Sequence, residues 1–147
     1  MNQIDRFECI QKQKEPKPRI ELMSRLGGQS LTLEAASLIE QYAVSQSDTL
    51  LILDEDCPYE ERLHLVLVRD AEVVDYIEIG AMYVPGVFRE LGLRNNTLQF
   101  SFESDAVWTL SIEPESRRVL GGLPRGASRR GSILTKRYMF LEHGDDV

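Results

Sequence analysis

The sequence predicts an α+β fold, in which a mostly antiparallel sheet of five to seven strands carries one principal N-terminal helix on one face. Two observations lead to this prediction. Apolar residues recur at helical spacing in residues 31–44, and from Thr49 onward they recur at every second position. The chain of 147 residues has the length of one ordinary domain.

Residues 1–19 are predicted to be a flexible or docking N-terminal arm, followed by a single domain over residues 20–147. The run at residues 12–19 contains two prolines and no other apolar residue. Such a run suits neither the interior of a sheet nor the continuation of a helix.

The principal helix is predicted over residues 31–44. Ser30 or Thr32 would cap its N-terminus, and Glu34 in the first turn suits the positive end of the helix dipole. Its apolar face would consist of Leu31, Ala35, Leu38, Ile39 and Tyr42.

Two hairpins are predicted after this helix. Residues 50–53 form a short apolar run that suits a buried strand. Residues 62–69 and 73–79 follow as two alternating segments with a short break, and residues 97–103 and 108–113 repeat this arrangement. Short breaks between alternating segments are typical of β-hairpins.

The segments around these hairpins give two further predictions. After the turn Pro85-Gly86, the apolar residues Val87, Phe88 and Leu91 predict a short helix near residues 87–92 that Gly92 ends. Residues 119–120 and 133–141 predict one more strand pair across a loop at residues 121–132.

The charge is segregated along the chain. Residues 49–116 carry 14 Asp or Glu against 4 Lys or Arg, and residues 117–137 carry 7 Lys or Arg and no acid. An acidic body repels phosphate backbones and membrane surfaces, so nucleic acid is an unlikely partner and no membrane contact is predicted. The basic Gly/Arg loop at residues 121–132 could still bind an anion.

The N-terminus lacks the apolar core of a secretory signal, and no apolar stretch is long enough to span a membrane. Cys9 and Cys57 lack metal-ligand spacing, so reduced thiols are expected. These features predict a cytoplasmic protein.

The motifs of common enzyme and metal sites are incomplete. Gly126 and Gly131 have phosphate-loop spacing, but Ser132 stands where that loop needs lysine. A calcium loop starting at Asp54 fails at Pro58 and Tyr59. With only two histidines and no nucleophile elbow, the sequence assigns no catalytic, cofactor-binding or metal-binding residue.

One acidic residue, Asp75, stands out within the predicted strands. Asp75 interrupts the apolar face of its strand, while Glu78 lies on the opposite face. A buried Asp75 would need a partner or a raised pKa, and an edge position facing water would explain it equally. One alternative function is therefore a small enzyme that uses Asp75 or Glu78 as acid or base near Tyr76.

The order of elements over residues 31–113, one helix, three strands, a short helix and two strands in an acidic chain, resembles that of the single-effector chaperones of bacterial type III secretion. Such proteins are acidic homodimers that hold an unfolded segment of a secreted partner on apolar patches beside the sheet. The resemblance implies an α+β fold, a protein partner and a possible homodimer.

The leading functional prediction is a non-enzymatic protein-binding module, acting as a chaperone, adaptor, inhibitor or immunity-type partner. Its candidate contact patch surrounds Pro85-Gly86. A third hypothesis is a regulatory or nucleic-acid-contacting protein that acts through the basic loop. The candidate partner-binding residues are Met82, Tyr83, Val84, Val87, Phe88, Arg125, Arg129 and Arg130.

Overall fold

A computed structural model describes residues 1–55, 62–80, 86–103, 106–117, 122–130 and 137–144. These residues form 13 strands in three antiparallel sheets, and they contain no α-helix. The predicted α+β class is therefore wrong, because the described part of the chain is an almost entirely β fold.

The strands have the following bounds. In chain order they are β1 (Asn2–Gln3), β2 (Phe7–Gln13), β3 (Arg19–Ser24), β4 (Ser30–Leu33), β5 (Ser37–Ala43), β6 (Asp48–Asp54), β7 (Leu63–Arg69), β8 (Glu72–Ile79), β9 (Arg89–Arg94), β10 (Thr97–Ser101), β11 (Trp108–Arg117), β12 (Ala127–Arg129) and β13 (Arg137–His143). The central sheet has the order β1-β5-β6-β7-β8-β12, one outer sheet has the order β13-β11-β10-β9, and the other has the order β2-β3-β4.

The central sheet is covered on both faces, and β6 shows this most clearly. Leu50 and Ile52 pack in one core with the four-stranded sheet, whereas Leu51 and Leu53 pack in the other core with the three-stranded sheet. A strand buried on both faces is a continuous apolar run rather than an alternating one. The run at residues 50–53 therefore marks the middle layer of a three-layer β structure.

The predicted helix at residues 31–44 is wrong, since this segment forms β4 and β5. Leu38 packs against one core, while Ile39 and Tyr42 pack against the other. The pairing with β6 shifts register between Leu38 and Glu40. Apolar residues on both faces, displaced by this irregularity, imitate the spacing of a helical face.

The short helix predicted near residues 87–92 is also wrong, because residues 89–94 form β9. The pairing of β9 with β10 shifts register between Gln99 and Phe100, which leaves Leu91 without a cross-strand partner. This extra residue gives the apolar positions the three-residue step that suggested a helical turn.

Both predicted hairpins are confirmed. β7 pairs with β8 across a turn at Asp70, whose φ is 59°, and β10 pairs with β11. Of the predicted strand pair near the C-terminus, residues 137–143 form β13, and residues 119–120 and 133–136 lie outside the described residues. Residues 2–3 and 7–13 of the proposed arm form β1 and β2.

Two consequences follow for the earlier expectations. The resemblance to secretion chaperones depended on a helix that the described residues lack, so it no longer supports the functional ranking. None of the described residues forms a helix with the length and apolarity that crossing a membrane requires.

Candidate functional site

The predicted contact patch around Pro85-Gly86 is only partly visible. Met82, Tyr83 and Val84 lie outside the described residues. Val87 is 69% exposed, whereas the ring of Phe88 is half-buried and lies 5.4 Å from that of Phe100. Phe88 thus belongs to the core, and Val87 remains available for contact.

Val87 leads directly into β9, which is an edge strand of the four-stranded sheet. β9 pairs with β10 on one side, and none of the described strands pairs with its other side. Leu91 in this strand is 53% exposed, and Arg89 and Arg94 are exposed as well. A groove of about 660 Å³ follows β9 and the start of β10, with Leu91, Arg94 and Gln99 among its lining residues.

The other sheet edges are protected in ways that natural proteins commonly use. The central sheet ends in the two-residue β1 and the three-residue β12. In the three-stranded sheet, β4 has four residues, and β2 carries exposed Glu8 and Lys12 and an irregular register near Cys9. Short edge strands, charged side chains and bulges all discourage the addition of another strand. β9 also carries charges and a register shift, so the feature that distinguishes it is the pair of exposed apolar side chains beside the groove.

The opposite edge of the four-stranded sheet is bound near the start of β13 by Asp75 of β8. Its carboxylate accepts hydrogen bonds from the backbone N–H groups of Tyr138 and Met139, each at 2.9 Å, and from Arg129 Nε at 3.0 Å. Arg129 also donates to the carbonyl oxygen of Met139. The Asp75 side chain is only 1% exposed, so it bridges the two sheets rather than facing water.

The geometry around Asp75 also bears on its proposed use as an acid or base. With Tyr76 N–H donating at 2.9 Å as well, the carboxylate has four donors from the protein itself. A buried carboxylate held this way stabilises the fold, and its acceptor sites are occupied. The hypothesis that Asp75 performs acid–base chemistry therefore has no geometric support.

The three candidate arginines of the basic loop differ in environment. Arg125 is exposed, Arg129 pairs with Asp75, and Arg130 donates hydrogen bonds to Glu78 from Nε and a terminal nitrogen. Two of the three positive charges are thus neutralised by carboxylates of β8. The described part of the loop binds its own protein, which reduces its capacity to bind an external anion.

Glu78 belongs to a polar cluster around His64, which is fully buried on the side of the three-stranded sheet. His64 Nε2 lies 3.0 Å from Glu55 Oε1, and Nδ1 contacts the hydroxyl of Tyr76. The hydrogen bond from His64 holds the pKa of Glu55 below its usual value. Because an ionised Glu55 only accepts, His64 Nε2 donates the hydrogen bond between them.

Two arginines complete this cluster, which we call the His64 cluster: Glu55, Arg62, His64, Tyr76, Glu78 and Arg130. Arg62 lies 3.5 Å from Glu78 Oε2, and the Arg130 guanidinium lies 4.3 Å from the centre of the Tyr76 ring. Burial raises the pKa of Tyr76, so its phenol is neutral at physiological pH. Acid–base chemistry by Glu78 stays a hypothesis, because both of its oxygens face arginines.

Sequence reasoning assigned these residues separately and missed the cluster. In the sequence, Glu55 lies in the segment that fails as a calcium loop, His64 lies in a predicted strand, and Arg130 lies in the basic loop. The nearest sequence signal was the predicted β7–β8 hairpin, whose observed register places His64 directly opposite Glu78. Cys57 lies outside the described residues.

Comparisons of the chain with protein-family models, with curated proteins and with solved structures found no match. The functional argument therefore rests on the geometry of the chain itself.

Proposed function

We propose that this protein binds a short extended segment of another protein, which adds to the open side of β9 as a further strand. The observation that supports this proposal is the contrast between edges. Among the described edge strands, the six-residue β9 combines exposed Leu91, and exposed Val87 just before the strand, with an adjoining groove. The same surface continues the contact patch that the sequence suggested at Val87.

Strand addition uses two kinds of interaction that β9 offers. Alternate backbone N–H and C=O groups along an unpaired edge can hydrogen-bond to an added strand, and alternating side chains then provide specificity. Leu91 and Val87 would add apolar contact area that binding removes from water. An open edge of this kind is otherwise a site of unwanted association.

The charges on β9 indicate the chemistry of the partner. Arg89 and Arg94 are exposed on either side of Leu91, and the acid of this strand, Glu90, accepts a hydrogen bond from Tyr42. A complementary segment would carry an apolar residue flanked by Asp or Glu, since opposite charges across neighbouring strands stabilise their pairing. The chain as a whole has a net charge of −7, which opposes a long acidic partner. We therefore expect a short acidic segment.

Two synthetic peptides test this proposal. Both have the same alternating apolar residues, and the residues between them are glutamates in one peptide and lysines in the other. We expect the glutamate peptide to bind more tightly to the isotope-labelled full chain and to shift the NMR signals of β9 amides. Hydrogen exchange at the open side of β9 should slow on binding, because those amides become hydrogen-bonded.

Charge-neutral variants locate the binding site. The double variant Val87→Ser/Leu91→Ser should weaken binding of the glutamate peptide by at least about tenfold, the amount that corresponds to about 1.4 kcal/mol. The matched control is Ile10→Ser, which removes an exposed apolar residue from the edge strand β2 and should leave binding unchanged.

Several results would reject the proposal. Tighter binding of the lysine peptide would contradict the assigned chemistry, and signal changes confined to β2 would contradict the assigned edge. Self-association of the free chain through β9 would show that a second copy, rather than another protein, occupies this edge.

A further inference from the structure

We propose that Glu55, His64 and Glu78 form a binding site for a zinc ion, in which the metal displaces the guanidinium of Arg130 from Glu78. This site is independent of β9 and of the proposed strand addition. It also differs from the calcium loop that the sequence excluded, because its ligands come from the end of β6, from β7 and from β8.

The positions of the three side chains support this site. One ligand atom from each residue lies within 4.8 Å of the other two. A metal with bonds of about 2.1 Å holds its ligand atoms about 3 to 4 Å apart, so the three side chains have to move closer together, and Glu78 moves the most. The pair Glu55 Oε1 and His64 Nε2, separated by 3.0 Å, already meets this requirement.

The hydrogen bonds of His64 fit the role of a metal ligand. A ligating histidine normally uses one ring nitrogen for the metal and hydrogen-bonds the other to a neighbouring group, which fixes the orientation of the ring. Here Tyr76 contacts Nδ1, and Nε2 faces Glu55. Glu78 Oε1 lies 3.7 Å from Nδ1, so the Glu78 side chain has to turn toward Nε2 to reach the ion. Zinc at Nε2 would take the place of the proton shared with Glu55, and the neutral ring would hold its one proton on Nδ1, facing Tyr76.

The composition of the site favours a transition metal over calcium or magnesium. One imidazole and two carboxylates suit zinc, whereas calcium and magnesium prefer oxygen ligands alone. The two carboxylates are 25% and 14% exposed, so the ion can reach them while His64 remains buried. Water would complete the coordination shell.

Arg130 is the internal competitor for this ion. Its guanidinium donates to Glu78 Oε1, and together with Arg62 it balances the two carboxylates of the cluster. A divalent ion would therefore bind only when Arg130 turns away. The Arg130 side chain is 43% exposed, so its guanidinium can move into water without being buried elsewhere.

Zinc chloride titration of the chelator-treated full chain tests the proposal by calorimetry at a fixed neutral pH. We expect one zinc ion per chain. Glu55→Gln and Glu78→Gln should each weaken binding by at least about tenfold, since each removes an anionic ligand. Arg130→Gln should strengthen binding by about tenfold, because it removes a competing positive charge from the site.

Two controls and a spectroscopic readout separate this site from surface binding. Glu72→Gln alters an exposed acid on β8, and His143→Gln alters the other histidine of the chain; neither should change zinc affinity. Because His64→Asn could fail to fold, we would instead follow the ring nitrogen NMR signals, in which zinc should shift His64 and leave His143 unmoved.

Three results would overturn the zinc site. Equal zinc affinity in the wild type and both glutamate variants would place the metal elsewhere. Shifts of the His143 ring signals alone would do the same. Weaker binding in Arg130→Gln would show that Arg130 supports the site rather than competing with zinc.

Discussion

The two edges of the four-stranded sheet, β13 and β9, differ in the partners of their outward-facing backbone groups. At β13, the N–H groups of Tyr138 and Met139 donate to Asp75, and Arg129 donates to the carbonyl of Met139. At β9, the outer side meets no described strand, and Leu91 is more than half exposed. One edge is bound at Tyr138 and Met139 by a buried ion pair from the central sheet, and the other is left accessible.

The open edge is nevertheless held firmly from within. The Tyr42 hydroxyl of β5 donates to Glu90 Oε1 at 2.7 Å, and the ring of Phe88 packs against Phe100. β9 is therefore fixed to the core through its flanking side chains while its outer side stays available. The exposure of β9 therefore does not result from weak packing. A strand edge that recognises a partner requires this combination of a fixed position and an accessible outer side.

The largest effect on stability is expected from Asp75→Asn, which disrupts the contacts between Asp75 and β13. The amide would place donors against backbone N–H groups and leave the charge of Arg129, itself 9% exposed, without its partner. Breaking a buried ion pair costs about 3 to 5 kcal/mol. Urea unfolding should show a loss of this size in the free energy of unfolding.

Two controls define the origin of this loss. The double variant Asp75→Leu/Arg129→Met removes both charges and should be more stable than Asp75→Asn, because no unpaired charge stays buried. Glu8→Gln breaks an exposed pair with Arg25 and should cost less than about 1 kcal/mol. A loss below about 1 kcal/mol in Asp75→Asn would show that β13 is sealed by other contacts.

A second prediction compares two leucines near the open edge. Leu98 in β10 is fully buried, whereas Leu91 in β9 is exposed. Leu98→Ala should lower the free energy of unfolding by about 2 to 5 kcal/mol, because it removes buried methyl groups and leaves a cavity. Leu91→Ala should change it by less than about 0.5 kcal/mol in the same unfolding assay. Equal losses would mean that Leu91 is packed in solution.

A third prediction concerns the hydrogen bond from Tyr42 to Glu90, which holds β9 against the core. Tyr42→Phe should lower the free energy of unfolding by about 1 kcal/mol at pH 8, the usual net value of one hydrogen bond. Burial, together with the nearby Glu90, raises the pKa of Tyr42 far above its usual value. The folded state then holds this proton more tightly than the unfolded state, so stability falls as the pH rises above about 10.

This pH dependence distinguishes the variant from the wild type. The phenylalanine has no proton to lose, so the stability gap between the two proteins should narrow as the pH rises above about 10. Urea unfolding at a series of alkaline pH values measures this gap. A gap that widens with pH would contradict the neutral, buried phenol at position 42.

The sequence allowed the two hairpins to be predicted, since each lies in one short stretch with alternating apolar residues. The layering could not be predicted in the same way. Whether Leu38 and Ile39 belong to one helix face or to two cores depends on sheets formed by distant segments. Register irregularities at β5 and β9 then converted strand spacing into apparent helical spacing.

The side-chain clusters around Asp75 and His64 could not be predicted from local sequence either. Asp75 was visible as a charge on an apolar face, but its partner Arg129 is 54 residues away, and no local pattern connects them. The cluster was closer to prediction, because His64 and Glu78 face each other across one hairpin. Finding it required a register that includes the irregularity between Leu67 and Val68, which the sequence does not reveal.

The smallest effect on stability is expected from Val87→Ser/Leu91→Ser, the double variant that should impair peptide binding. Both side chains are already largely in water, so their loss should change the free energy of unfolding by less than about 0.5 kcal/mol each. Hydrogen exchange of the free variant should match the wild type, with Tyr138 and Met139 amides protected by Asp75 and the outer amides of β9 unprotected. A stable variant that no longer binds would assign Val87 and Leu91 to recognition, whereas slow exchange along the outer side of β9 in the free wild type would mean that this edge is already paired.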